Sequence, residues 1–102
     1  MDVKVNDGEW TGLSEQDRAK IQSIIAANFH GTNVVGDKGA QPSADAIASK
    51  TLSFNWKNPI CTAACGIAEA AAVAACAALS GPAIPICIAA AHGAGEFCRS
   101  RC

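Results

Sequence analysis

Residues 59–102 read PICTAACGIAEAAAVAACAALSGPAIPICIAAAHGAGEFCRSRC, and the placement of six cysteines in this run decides the architecture. They stand at 61, 65, 76, 87, 98 and 102, so successive spacings are 4, 11, 11, 11 and 4. The pattern is a palindrome. The pairs 61 with 102, 65 with 98 and 76 with 87 share one midpoint, between Gly81 and Pro82. A common midpoint marks facing positions on two antiparallel segments. Ser80-Gly81-Pro82 is also where the chain must turn on independent grounds, because glycine and proline both end helices.

The spacings suit helices. At 100° per residue a step of four overshoots one turn by roughly 40°, and a step of eleven overshoots three turns by roughly 20°. Cys61, Cys65 and Cys76 therefore share one narrow stripe, as do Cys87, Cys98 and Cys102. Six cysteines allow about fifteen pairings. Helix geometry selects the ladder Cys61–Cys102, Cys65–Cys98 and Cys76–Cys87. The crossed alternative, Cys61–Cys98 with Cys65–Cys102, would need diagonal bonds out of step by about 6 Å. A disulfide brings alpha carbons to about 5.5–6 Å, so the seam needs small residues. By the same midpoint rule Ala72 faces Ala91 and Ala68 faces Gly95, leaving space there for the partner backbone. Glu69 borders the stripe and is expected to lean outward or to find a partner.

A zinc reading competes. Cys61, Cys65, Cys98 and Cys102 cluster at the open end and could supply four thiolates. Cys76 and Cys87 would then be left as facing thiols, because eleven helical residues span about 16 Å. The ladder uses all six. It predicts no metal and no cofactor, and an oxidising, extracytoplasmic compartment. Each bridge adds on the order of 2–4 kcal/mol, less in sum because nested loops share their entropy.

Working outward, Asn58-Pro59 offers a helix cap and first-turn proline. One helix is expected over about 59–79 and a second over about 85–100, the latter opened by Pro85. Gly93 and Gly95 cost the second helix roughly 1 kcal/mol each relative to alanine, so the bridges must hold it. In the N-terminal half, Met1–Val5 alternates and Asn6-Asp7-Gly8 signals a turn. Ser14 caps a helix over about 15–29, with Ile21, Ile24 and Ile25 on one face and Gly31 as the stop. Residues 31–42, with Gly31, Gly36, Gly39 and Pro42, read as loop. Ser43–Leu52 reads as a short helix capped by Ser43, and Thr51–Trp56 as a weak alternative strand. The fold class is mainly α: a disulfide-stapled antiparallel hairpin packed on a small N-terminal helical segment, with room for one or two short strands.

Charge divides the chain near Pro59. Residues 1–58 hold seven acids and six bases, whereas 59–102 hold only Glu69, Glu96, Arg99 and Arg101. The first segment, 1–58, is a leader or a packing subdomain; the second is the hairpin. A net charge of −1 over 102 residues excludes a nucleic-acid binder that works through bulk positive charge. Met1 is followed by Asp-Val-Lys-Val rather than a basic start and an apolar run, so an exported form is expected either to be processed or to carry a polar leader. Neither arm reads as membrane-spanning: neither is much longer than about 20 residues, and Pro82 and Pro85 interrupt the run.

Ile60, Ile67, Val73, Leu79, Ile84, Ile86, Ile88 and Phe97 lie off the seam. Some are expected against the Ile21/Ile24/Ile25 face, and the rest offer a surface for a target-cell membrane or receptor. His30 and His92 lack a nucleophile pattern and read as helix-end or surface residues. No phosphate loop, paired carboxylates or nucleophile elbow is visible, so no catalytic residue, small-molecule substrate or enzyme activity is expected.

The pattern Cys61-x3-Cys65 … Cys98-x3-Cys102 resembles the plant α-hairpinins, antimicrobial or protease-inhibiting hairpins with nested disulfides. Cys76-Ala-Ala-Leu … Phe97-Cys98-Arg99 is similar to sublancin-type bacteriocins, and the alanine, glycine and cysteine content to halocin-type bacteriocins. The resemblance covers about residues 59–102; the central bridge and residues 1–58 depart from it. The twin Cys-x3-Cys is also similar to small mitochondrial import chaperones, whose inner spacing is shorter and lacks a central pair. The resemblance implies a secreted antimicrobial or toxin-like polypeptide. The rival expectation is a secreted structural or interaction protein, an antigen or effector, with the hairpin as scaffold.

Overall fold

The computed structural model describes residues 2–48 and 58–102. In chain order they form β1 (Asp2–Asn6), α1 (Asp7–Thr11), α2 (Glu15–Asn28), β2 (Asn33–Asp37), α3 (Ser43–Ala48), α4 (Pro59–Cys76) and α5 (Ala83–Ser100). The protein is mainly helical, with one small two-stranded sheet and three disulfides linking helices.

α4 begins where Asn58 accepts a hydrogen bond from the Cys61 N–H and Pro59 occupies the first turn. It ends at Cys76 rather than near Leu79. Ala77, Ala78 and Leu79 turn more tightly, each N–H donating to the carbonyl three residues back. Gly81 takes φ +60°, a conformation glycine alone adopts freely, and this reverses the chain. α5 then starts at Ala83, two residues before Pro85, so the proline sits inside the first turn, where its missing N–H costs nothing. Disulfides join Cys61 to Cys102, Cys65 to Cys98 and Cys76 to Cys87, with alpha carbons 5.8, 5.8 and 5.6 Å apart. Bridges that tie the start of α4 to the end of α5, and its end to the start of α5, make the two helices antiparallel. Ala72, Ala90 and Ala91 are fully buried between the bridges.

The N-terminal half is built around α2. Ser14 caps it by accepting from the Asp17 N–H at 3.1 Å, and Ile21, Ile25 and Phe29 form its buried face. Two expectations are corrected here. Asn6-Asp7-Gly8 is not a turn: the Asn6 side chain accepts from the Glu9 N–H at 3.0 Å and starts α1. Residues 31–42 are not all loop: β2 pairs in parallel with β1, in register from Asp2 opposite Asn33 to Asn6 opposite Asp37. The crossover that parallel strands require is supplied by α1 and α2. Gln22 of α2 closes the free edge of β2. Its amide donates to the Val34 carbonyl at 2.6 Å and accepts from the Val34 N–H at 2.8 Å.

A third correction concerns Ser43. It is the first residue of α3 rather than the residue before the helix, and both of its donors go to Glu9. The Ser43 N–H and Oγ lie 2.8 and 2.7 Å from Glu9 Oε1. The rest of the Ser43–Leu52 helix and the Thr51–Trp56 strand lie outside the described residues. The core is shared by both halves: Val3, Val5, Leu13, Ile21, Ile25 and Val34 pack with Ala72, Ala83, Ile86, Ala90 and Ala94.

Candidate functional site

α4 has two unlike faces. Thr62, Cys65, Glu69, Ala72 and Cys76 point inward and are buried. The outer stripe is Ile60, Ala63, Ala64, Ile67, Ala70, Ala71 and Ala74, all exposed. Ile60 keeps 83% of its surface and Ile67 keeps 72%. Seven residues apart, they fall within roughly 20° of each other on the helix. No charged or hydrogen-bonding side chain stands among these outer positions, which is unusual for a helix facing water. Val73, Leu79 and Ile88 pack on the core instead, and Ile86 lies within it. By length and composition α4 is the one helix among the described residues that could cross a membrane, and only 28% of it is buried. A core helix passing the same test would be mostly buried. The bridges near both ends of α4 tie it to α5.

The only charge on α4 is Glu69, which turns inward. Its Oε1 lies 3.1 Å from Arg99 Nη1, and its Oε2 lies 3.3 Å from His92 Nδ1. Arg99 and Glu69 are both buried, so the pair is one of charge with charge inside the fold. Space for the carboxylate comes from Gly95. A Cβ there would run into Glu69 Oε1 and come within 2.8 Å of its Cδ. The space expected for the partner backbone is thus filled by a side chain. His92 is correspondingly no ordinary surface residue. Arg99 keeps Nε and Nη2 buried without a hydrogen-bond partner among the described residues. The sequence carries a trace of this cluster. His92, Gly95 and Arg99 recur at spacings of three and four on α5, opposite the one acid of an otherwise uncharged helix.

Two of the cavities along α5 are lined by titratable side chains. One, of about 380 Å³, lies between β1, α3 and α5 and is lined by Lys4, Asn6, Ser43, His92 and Glu96. The Ser43 hydroxyl there is committed to Glu9. The other, of about 500 Å³, opens beside the end of α2 and is lined by Phe29, Thr32, Cys61, Cys65, Cys98 and Arg101. His30 lines this second cavity too, in the turn after α2. At the far end of the sheet, Asp37 lies 3.4 Å from Lys4 Nζ. The Gly39 N–H, and then Lys4, hold its carboxyl below the ordinary value of 3.8.

No family model, curated protein or solved structure matches this chain. The functional reading therefore rests on the surface. Three intramolecular disulfides in one short chain suggest an oxidising, extracytoplasmic environment.

Proposed function

We propose that this is a secreted, non-enzymatic, bacteriocin-like antimicrobial or toxin polypeptide that meets a target-cell membrane through the outer face of α4. The observation that carries the reading is the exposed, uncharged stripe from Ile60 to Ala74 on a helix held rigid by disulfides. Burying one isoleucine side chain is worth about 1.5–3 kcal/mol, so Ile60 and Ile67 together supply about 3–6 kcal/mol of transfer into a bilayer. With a net charge of −1, binding is driven by apolar contact rather than by attraction to anionic lipid. The core shared by both halves supports the whole chain, rather than residues 59–102 alone, as the acting species.

The test is binding of the oxidised protein to neutral phosphatidylcholine vesicles, with leakage and growth inhibition read alongside. Ile60→Asp combined with Ile67→Asp should leave folding stability within about 0.5 kcal/mol, as exposed substitutions do. It should weaken vesicle binding by about two to four orders of magnitude. Wild-type protein that ignores the vesicles, or a double variant that binds them equally well, refutes the reading. The shared core also favours a second reading, a secreted interaction protein that covers the same stripe with a protein partner. A chain that leaves vesicles intact and inhibits no strain, yet unfolds in one cooperative transition, supports that alternative.

A further inference from the structure

The two outer bridges lie side by side. Cys65 Sγ is 3.9 Å from Cys102 Sγ, although these two are bonded to different partners. The sulfurs of Cys61, Cys65 and Cys102 all fall within 4.8 Å of one another, and Cys98 is bonded to Cys65. A tetrahedral zinc site with sulfur at about 2.3 Å has sulfur–sulfur edges of about 3.8 Å. The unbonded edge already matches that spacing. We infer that the open end of the α4–α5 pair is a redox-gated metal site: once its two bridges are reduced, Cys61, Cys65, Cys98 and Cys102 bind one thiophilic divalent cation of the zinc class.

The chemistry balances with a dithiol as reductant. Each bridge takes two electrons and two protons from one dithiol, which leaves as its own disulfide, and yields two thiols. The cation then displaces four protons as four thiolates bind it. Within each former bridge the sulfurs separate from about 2.0 Å to about 3.8 Å. The alpha carbons stand 5.8 Å apart in both pairs, so the side chains widen by rotating while the helices stay in place.

Burial separates the three bridges. Cys76 and Cys87 are 0% exposed, whereas Cys61, Cys98 and Cys102 are partly open. Cys61, Cys65 and Cys98 line the 500 Å³ cavity, which gives reductant and metal a way in. The inner bridge lies too far along the helices to contribute a ligand and keeps their ends joined. The site is independent of the membrane reading, and its test makes no use of lipid.

The experiment treats the full oxidised chain with graded dithiol, followed by Zn²⁺ or Co²⁺ at one equivalent. The expected result is release of four thiols before the last two, then uptake of one metal per chain. Thiolate-to-cobalt charge-transfer absorption should appear, and Cys61, Cys65, Cys98 and Cys102 should be protected from alkylation. Cys61→Ser with Cys102→Ser, which retains two bridges when oxidised, should bind at least about tenfold more weakly after the same reduction. Where reduction lowers helicity, zinc should restore it in the wild type and not in the double variant. No charge-transfer band, a band equal in the variant, or protection that falls on Cys76 and Cys87 overturns the site.

Discussion

Gly95→Ala is the sharpest test of how the two long helices fit together. Alanine is the better helix former by about 1 kcal/mol, so propensity alone predicts stabilisation. The structure predicts the reverse. The new methyl would overlap the end of Glu69, with Cδ at 2.8 Å and Cγ at 3.0 Å. The Glu69 side chain is flexible, but its carboxylate is held by Arg99 at 3.1 Å and faces His92 at 3.3 Å. Moving it breaks a buried charge pair, which costs about 3–5 kcal/mol. Setting the gain of about 1 against that loss leaves a net destabilisation of about 2–4 kcal/mol. In a Glu69→Ala background the overlap is gone, and Gly95→Ala should be neutral or stabilising by up to about 1 kcal/mol. The sign of one substitution therefore depends on the residue opposite. Urea unfolding of the four proteins with bridges intact measures the coupling, expected at about 2 kcal/mol or more. Equal effects of Gly95→Ala in both backgrounds, within about 0.5 kcal/mol, would show that Glu69 is not what the glycine accommodates.

Gln22→Ala removes both hydrogen bonds to Val34 and leaves that edge of β2 unpaired; we expect a loss of about 1–3 kcal/mol, read as a lower urea midpoint with an unchanged slope. Glu9→Ala strands two donors on Ser43, one of them a backbone amide, and should speed amide exchange in α3 while α4 and α5 keep their protection. Asp37 has its folded value depressed, so its contribution is fully present above the ordinary value of 3.8 and fades as pH falls through the lower folded value. The stability difference between wild type and Asp37→Asn should therefore be constant above that value and shrink below it; a difference that grows on acidification would contradict the Gly39 and Lys4 contacts.

What the sequence revealed follows the range of the interactions that build each element. α2 was legible because its cap, its isoleucine face and its stop lie within one stretch of chain. The start of α4 was legible for the same reason, whereas α5 begins two residues ahead of the Pro85 expected to open it; cysteine spacing carries helical period across the turn between them. β2 was not legible. Its decisive residue is a single valine, Val34, between glycines, and its partner strand lies far back in the chain, so no local alternation marks it. The Asn6-Asp7-Gly8 signal failed because an asparagine that opens a turn also caps a helix, and only the Glu9 N–H distinguishes the two. At the candidate site, the apolar residues off the seam could be named but not sorted. Which of them meet α2 depends on the rotation of α4, and this leaves Ile60 and Ile67 outside while Val73 goes inside. The role of Gly95 was hidden because the midpoint rule places it opposite Ala68, and a long side chain one position away reaches the same space.

The position of β1 has a consequence for synthesis. Val3 and Val5 are buried against residues that include α5, and a Cβ at Gly93 would meet Val3 Cγ1 at 2.9 Å. A ribosome delivers the first strand more than eighty residues before that glycine. Until the last helix emerges, Val3, Ile21, Ile25 and Val34 lack the part of their burial that α5 supplies, which leaves the cysteine-free half more open to proteases or chaperones. Maturation is thus governed from the tail: nascent chains arrested before Ala83 should be digested readily across residues 2–48, and chains released in full should resist.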